Sequence, residues 1–219
     1  MCIRDSNYGL KYLKQTIHQL DYPMLCANIL ENGEPFTGQG ITYIKSQGLT
    51  IGVIGLTTQF IPHWEQPEYI ETLTFQSAVE TLSSQLPELR KQSDVVVVSY
   101  HGGFERDLET GEPTEALTGE NEASEILRLF SDDIDVLITG HQHRDIATIY
   151  NQTAVIQPGT RGTKVGKIVL NIEHDNDVQI ENCHLLDVED CSSFEINQQD
   201  QNLRVHLEDW LDKNCLLYT

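Results

Sequence analysis

Residues 94–100, Asp-Val-Val-Val-Val-Ser-Tyr, carry four consecutive valines. β-Branched side chains favour extended backbone. A run of them without polar alternation suits a strand covered on both faces. Such a strand needs neighbours on either side and layers above and below. A second run of this kind, Ile-Asp-Val-Leu-Ile-Thr at 134–139, predicts another buried strand.

Helical spacing supplies the layers. Leu10, Leu13, Ile17 and Leu20 predict an amphipathic helix over 9–20. Phe75, Ala78, Val79, Leu82, Leu86 and Leu89 predict a second, kinked at Pro87. Ala123, Ile126, Leu127 and Phe130 predict a third, with Glu120 and Glu122 in its first turn beside the positive dipole end. Residues 23–28 read as a short buried strand, 41–45 as an alternating one and 49–57 as a continuous apolar one. Beyond 139 come strands at 145–150, 153–158, 165–173 and 178–188, a turn at 174–177 and a short helix at 203–212. Helices alternating with buried strands, then a mostly antiparallel tail, predict a layered α/β domain. The polar stretch 104–120 is a long loop, of the length that is often functional.

Both valine-type strands end directly in histidine: "SYHGG" at His101 and "TGHQH" at His141 and His143. Ligand sites of open α/β sheets lie beyond the carboxyl ends of the strands. Glycines 102, 103 and 140 let the backbone turn there and leave room around the imidazoles. One strand-end histidine is more often a hydrogen-bonded core residue. Three on two strand ends favour a metal site for Zn, Mn or Fe. His18, His63, His174, His184 and His206 lack this setting and read as surface or structural. Arg144 and Arg161 border the loops and are candidates for phosphate contact, with surface ion pairs as the alternative. Glu120 and Asn121 either border the site or start the third helix, and the helix start is favoured. The segment 157–162, Gln-Pro-Gly-Thr-Arg-Gly, reads as a turn at the edge of the site.

Fourteen Lys and Arg against 34 Asp and Glu give a net charge of −20, the wrong sign for gripping a nucleic-acid polymer. An anionic substrate would need a local positive centre, which a metal ion supplies. No apolar run reaches the ~20 residues of a membrane span. The ends, "MCIRDS" and "NCLLYT", pattern with nothing beside them and resemble translated adapter sequence, so residues 1–6 and 214–219 are expected to be non-native. Cys26, Cys183 and Cys191 then remain, an odd number in no motif, which indicates no disulfide framework.

"VVVVSYHGG" followed by "GHQH" resembles the last two metal motifs of the calcineurin-like metallophosphoesterases. "NYGLKYLKQTIHQLDYPMLCANI", "IGVIGLTTQFIPHWE", "LTGENEASEIL" and "IQPGTRGTKVGKIVL" resemble the 5′-nucleotidase and 2′,3′-cyclic-nucleotide 2′-phosphodiesterase branch. The resemblance runs from about residue 7 to residue 212. It implies an α/β/β/α sandwich, here truncated at its N-terminus, over residues 7–194. A linker helix at 195–213 would lead to a further C-terminal domain. It also implies two divalent metal ions, one on His101 and His141 and the other on His143. The remaining ligands and the catalytic histidine would precede Asn7, so no catalytic residue is expected in this chain and the chain alone is expected to be inactive. Asn7 occupies a position where cyclic-phosphodiesterase relatives tend to carry Asn. The implied partner is a small-molecule nucleotide. Two alternatives stay open: the same fold acting on a UDP-sugar or another phosphoester, and a non-catalytic binding domain that keeps the histidines.

Overall fold

The four-valine run forms β6 (Val95–His101), an inner strand of a six-stranded mixed sheet. The structure, a computed structural model, describes residues 9–172 and 178–188. Its other elements are α1 (Leu10–His18), β1 (Ile29–Glu31), β2 (Glu34–Pro35), β3 (Ile41–Ser46), β4 (Leu49–Thr57), α2 (Pro67–Ile70), β5 (Leu73–Phe75), α3 (Ala78–Lys91), α4 (Ala123–Phe130), β7 (Val136–Thr139), β8 (Asp145–Tyr150), β9 (Thr153–Pro158), β10 (Lys164–Ile172) and β11 (Val178–Asp187). The main sheet has the order β3-β4-β6-β7-β9-β8. Strands β4, β6, β7 and β9 are parallel, and β3 and β8 close the edges antiparallel. This is the mixed α/β class expected of the pattern. The turn at 174–177, the helix at 203–212, both chain ends, Asn7 and the boundaries at 194/195 and 213/214 lie outside the described residues.

One face of the sheet is fully buried. Val96, Val98 and Tyr100 of β6 pack with Leu82, Leu86 and Leu89 of α3 and Ile126 and Leu127 of α4. Each fully buried aliphatic side chain contributes ~1.5–3 kcal/mol. On the opposite face Val95 is buried, but Val97 and Ser99 are half-buried and Ile138 is 38% exposed, so the expected two-sided burial of β6 holds only at its start among the described residues. Two-sided burial belongs instead to β9, whose residues Thr153 to Gln157 are all buried. The β10–β11 hairpin approaches β9 closely enough that a Cβ on Gly166 would sit 2.5 Å from Ile156 Cδ1.

Two local expectations are corrected. Residues 23–28 form no strand. Ala27 N–H donates to Gly55 O at 2.7 Å and Cys26 N–H to Gln39 O at 3.2 Å, but no ladder follows. The buried Asn28 side chain replaces it, donating to Thr57 O (2.7 Å) and Gln76 O (2.9 Å) and accepting from Thr57 N–H (2.9 Å). The segment lies so close to β4 that a Cβ on Gly55 would fall 2.4 Å from Leu25 O. Phe75, placed in a helix by its spacing, ends β5 instead, opposite Ile29 in a small β2-β1-β5 sheet. Its ring packs against Cys26, Ile29 and Ile61. Helix α3 starts after Ser77, whose hydroxyl accepts from Glu80 N–H at 3.3 Å, and runs through Pro87 to Lys91.

Asn28 thus joins three segments through buried bonds. Asn28→Ala leaves the Thr57 amide without its partner, and buried groups so orphaned cost ~1–3 kcal/mol each. The expected loss is about 2–4 kcal/mol, read as a lower urea midpoint at constant m-value. An unchanged midpoint would contradict this role.

Candidate functional site

The site grows from the parallel register of β6 and β7. Tyr100 pairs with Thr139, so the next residues of the two strands, His101 and Gly140, leave the sheet side by side. Gly140 N–H donates to Gly102 O at 3.1 Å, and a Cβ on Gly140 would stand 3.4 Å from His101 Nδ1. The His101 and His141 rings lie with centroids 5.5 Å apart at 62°. His101, His141 and His143 line one cleft of about 360 Å³ with Ser99, Thr160 and Arg161. Forty residues of sequence separate the first two, and the sheet removes that separation.

Burial, reinforced by His141 and His143, lowers the His101 pKa. Its ring is therefore neutral at physiological pH and keeps the lone pair that metal ligation needs. His141 and His143 both adopt the left-handed region, at φ 68° and 58°, as does Arg161 at 60°. Such backbone costs of order 1–3 kcal/mol per residue and clusters at functional sites. Among the described residues, no three His, Cys, Asp or Glu side chains converge closely enough to hold a metal by themselves. The three imidazoles fit part of a ligand set, not the whole of one.

The strained loop is held by partners that the sequence pattern did not single out. Gln142 accepts from Phe104 N–H at 2.8 Å and donates to Phe104 O at 3.0 Å, a side chain that imitates strand pairing. This requires Gly103: a Cβ there would lie 2.1 Å from Gln142 Oε1. Buried Glu105 organises the long loop by accepting from the backbone N–H groups of Thr118 (3.0 Å), Glu120 (3.0 Å) and Asn121 (3.3 Å). Gln157 fixes the far side, accepting from Arg144 N–H at 2.7 Å and donating to Thr139 Oγ1 at 3.0 Å. The one available signal was the doubled glycine facing a Gln inside the histidine motif.

Glu120 and Asn121 do not act as helix starters. Glu120 Oε1 lies 2.7 Å from His141 Nε2. Asn121 accepts from Gly103 N–H at 2.7 Å and donates to Glu115 at 2.7 Å. Glu122 caps the wrong helix for the expectation: its carboxylate accepts from Ala78 N–H of α3 at 2.9 Å. The Arg144 guanidinium pairs with Glu115 at 3.5 Å, whereas Arg161 lines the histidine cleft. Among the other histidines, His63 stacks on Phe60 at 3.7 Å and His184 bonds Asn182 at the surface.

A Staphylococcus aureus protein assigned as a 5′-nucleotidase, solved in complex with α-ketoglutarate, is 58% identical and superposes with a TM-score of 0.89, over 95% of this chain and 41% of that one. The chain is similar to 5′-nucleotidases in sequence and to calcineurin-like phosphoesterases in fold. The trifunctional nucleotide phosphoesterase protein YfkN of Bacillus subtilis is 27% identical over 192 residues, 76% of this chain and 13% of that protein. A 2′,3′-cyclic-nucleotide 2′-phosphodiesterase/3′-nucleotidase of Haemophilus influenzae is 30% identical over 149 residues, 63% of this chain and 22% of that protein. The chain thus spans well under half the length of these relatives, which are hydrolytic enzymes. No family model matches it. Likeness to the calcineurin-like phosphoesterase fold implies divalent metal ions.

Gly103→Ala should displace Gln142 and release the loop that carries both left-handed histidines. The expected result is faster hydrogen exchange at the amides of 141–144, with β9 protection unchanged. Wild-type exchange across the loop would refute the Gly103–Gln142 interlock.

Proposed function

We propose that the protein carrying this chain is a metal-dependent phosphoesterase that hydrolyses nucleotides, preferring 2′,3′-cyclic nucleotides and also acting on nucleoside monophosphates. The observation that carries this reading is the 5.5 Å approach of His101 and His141 at the ends of adjacent parallel strands. The names of the relatives support the substrate class. His101 and His141 would bind one of two divalent ions (Zn, Mn or Fe) and His143 the other, with further ligands from chain outside this sequence. Ions in such a pair supply Lewis acidity to phosphoryl oxygens and lower the pKa of water.

The chain's own residues have definite parts in this scheme. The neutral His101 ring offers a lone pair without first losing a proton. The backbone at His141 and His143 is held in the left-handed region, which would limit its reorganisation on binding. Arg161, lining the same cleft, places a positive charge where a phosphate would enter a protein of net charge −20. A chain with only part of a ligand set should not turn over substrate alone.

The longer protein, rebuilt from an uninterrupted gene, should show higher kcat/KM for 2′,3′-cAMP than for 5′-AMP. His141→Ala should cost about 100-fold or more, and His143→Ala about tenfold less than that, because a position for which a neutral amide can substitute depends less on imidazole. The 219-residue chain with added Mn or Zn should not hydrolyse bis(p-nitrophenyl) phosphate. A strong preference for 5′-AMP would defeat the substrate assignment. Metal-dependent turnover by the chain alone would defeat the partial-site reading.

A further inference from the structure

We infer that Glu120 is a positioning residue for His141: its carboxylate holds Nε2 and so leaves Nδ1 as the nitrogen that faces a metal. This rests on the reading of His141 as a ligand given above. The contact is 2.7 Å long and about three-quarters buried on both sides. A neutral imidazole has one N–H and one lone pair, and an ionised carboxylate only accepts. A carboxylate at Nε2 requires a proton there, so the one lone pair of the neutral ring falls on Nδ1. Among the described residues nothing hydrogen-bonds Nδ1.

Glu120 is not a loose surface acid that met a histidine by chance. Its N–H donates to Glu105 at 3.0 Å. Its carbonyl accepts from Thr58 Oγ1 at 2.7 Å and from the buried Tyr100 hydroxyl at 3.2 Å. Three anchors, from the loop, from the residue after β4 and from β6, fix the backbone of one glutamate. On its other side the His141 ring stacks against Trp64, with centroids 5.6 Å apart and planes 29° apart. Carboxylate and indole together set both the tautomer and the orientation of the ring. A histidine so held loses less freedom on ligation, and the carboxylate raises the basicity of the opposite nitrogen.

Two readouts test this. In the metal-free 219-residue chain, histidine-selective ¹⁵N NMR should show His141 as the Nε2–H tautomer. Glu120→Ala should convert it to a mixture, with the melting temperature little changed. In the longer protein, Zn²⁺ affinity measured by chelator competition should fall 10–100-fold in Glu120→Ala, the range for such outer partners. Glu120→Gln keeps the shape and removes the charge. It should weaken Zn²⁺ binding several-fold, and it carries the test if Glu120→Ala does not fold. If His141→Ala binds Zn²⁺ like wild type, the ligand reading fails and takes this inference with it. If His141→Ala loses Zn²⁺ while both Glu120 variants keep wild-type affinity and tautomer, the role of Glu120 alone is overturned.

Discussion

The register between β6 and β7 is the constraint on which the site depends. Parallel pairing of Val97 with Val136 and Tyr100 with Thr139 sends both strands out of the sheet at the same level. A slip of one residue would turn each side chain to the opposite face. His101 would then point into the α3–α4 core, and Tyr100 would lose its bonds to Glu120 and Glu122. Register is in turn held by the fully buried face, where Val96, Val98 and Leu137 meet the helices. The packing that stabilises the sheet and the geometry that gathers the histidines are one requirement.

Around that register the polar network offsets local strain. Left-handed backbone at His141, His143 and Arg161 is unfavourable, and it persists because Gln142, Gln157 and Glu105 tie down the loops on three sides. Each such side-chain bond contributes about 0.5–1.5 kcal/mol, and more where the acceptor is ionised. Most run from a side chain to the backbone of a different loop. The loops after β6 and β7 and the stretch before α4 therefore behave as one piece.

The same network explains which residues were legible in advance. His101, His141 and His143 stood out because each follows an apolar strand beside glycine, a pattern local enough to see in sequence. Glu120, Asn121 and Glu122 are harder to place from sequence, because acidic and amide residues before a helix ordinarily serve that helix. Here their partners are His141, Gly103 and Ala78 of α3, between 18 and 44 positions away. Helix-dipole reasoning sees only the nearest turn. Phe75 was misplaced for a related reason: its spacing suits α3, but pairing with Ile29 and burial near Ile61 decided its conformation.

What the sequence determined by itself was the set of elements and the direction of their faces. Runs of valine, helical spacing and glycine-flanked histidines act over a few residues, through backbone preference and solvent exclusion, so they can be read without knowing the fold. Tertiary structure decided which strand is covered on both faces, β9 rather than β6, because coverage depends on where the β10–β11 hairpin comes to rest. It also decided that Asn28 replaces a strand ladder and that Glu120 meets His141. Those outcomes depend on hydrogen bonds between distant loops, and their partners become neighbours only once the sheet has formed.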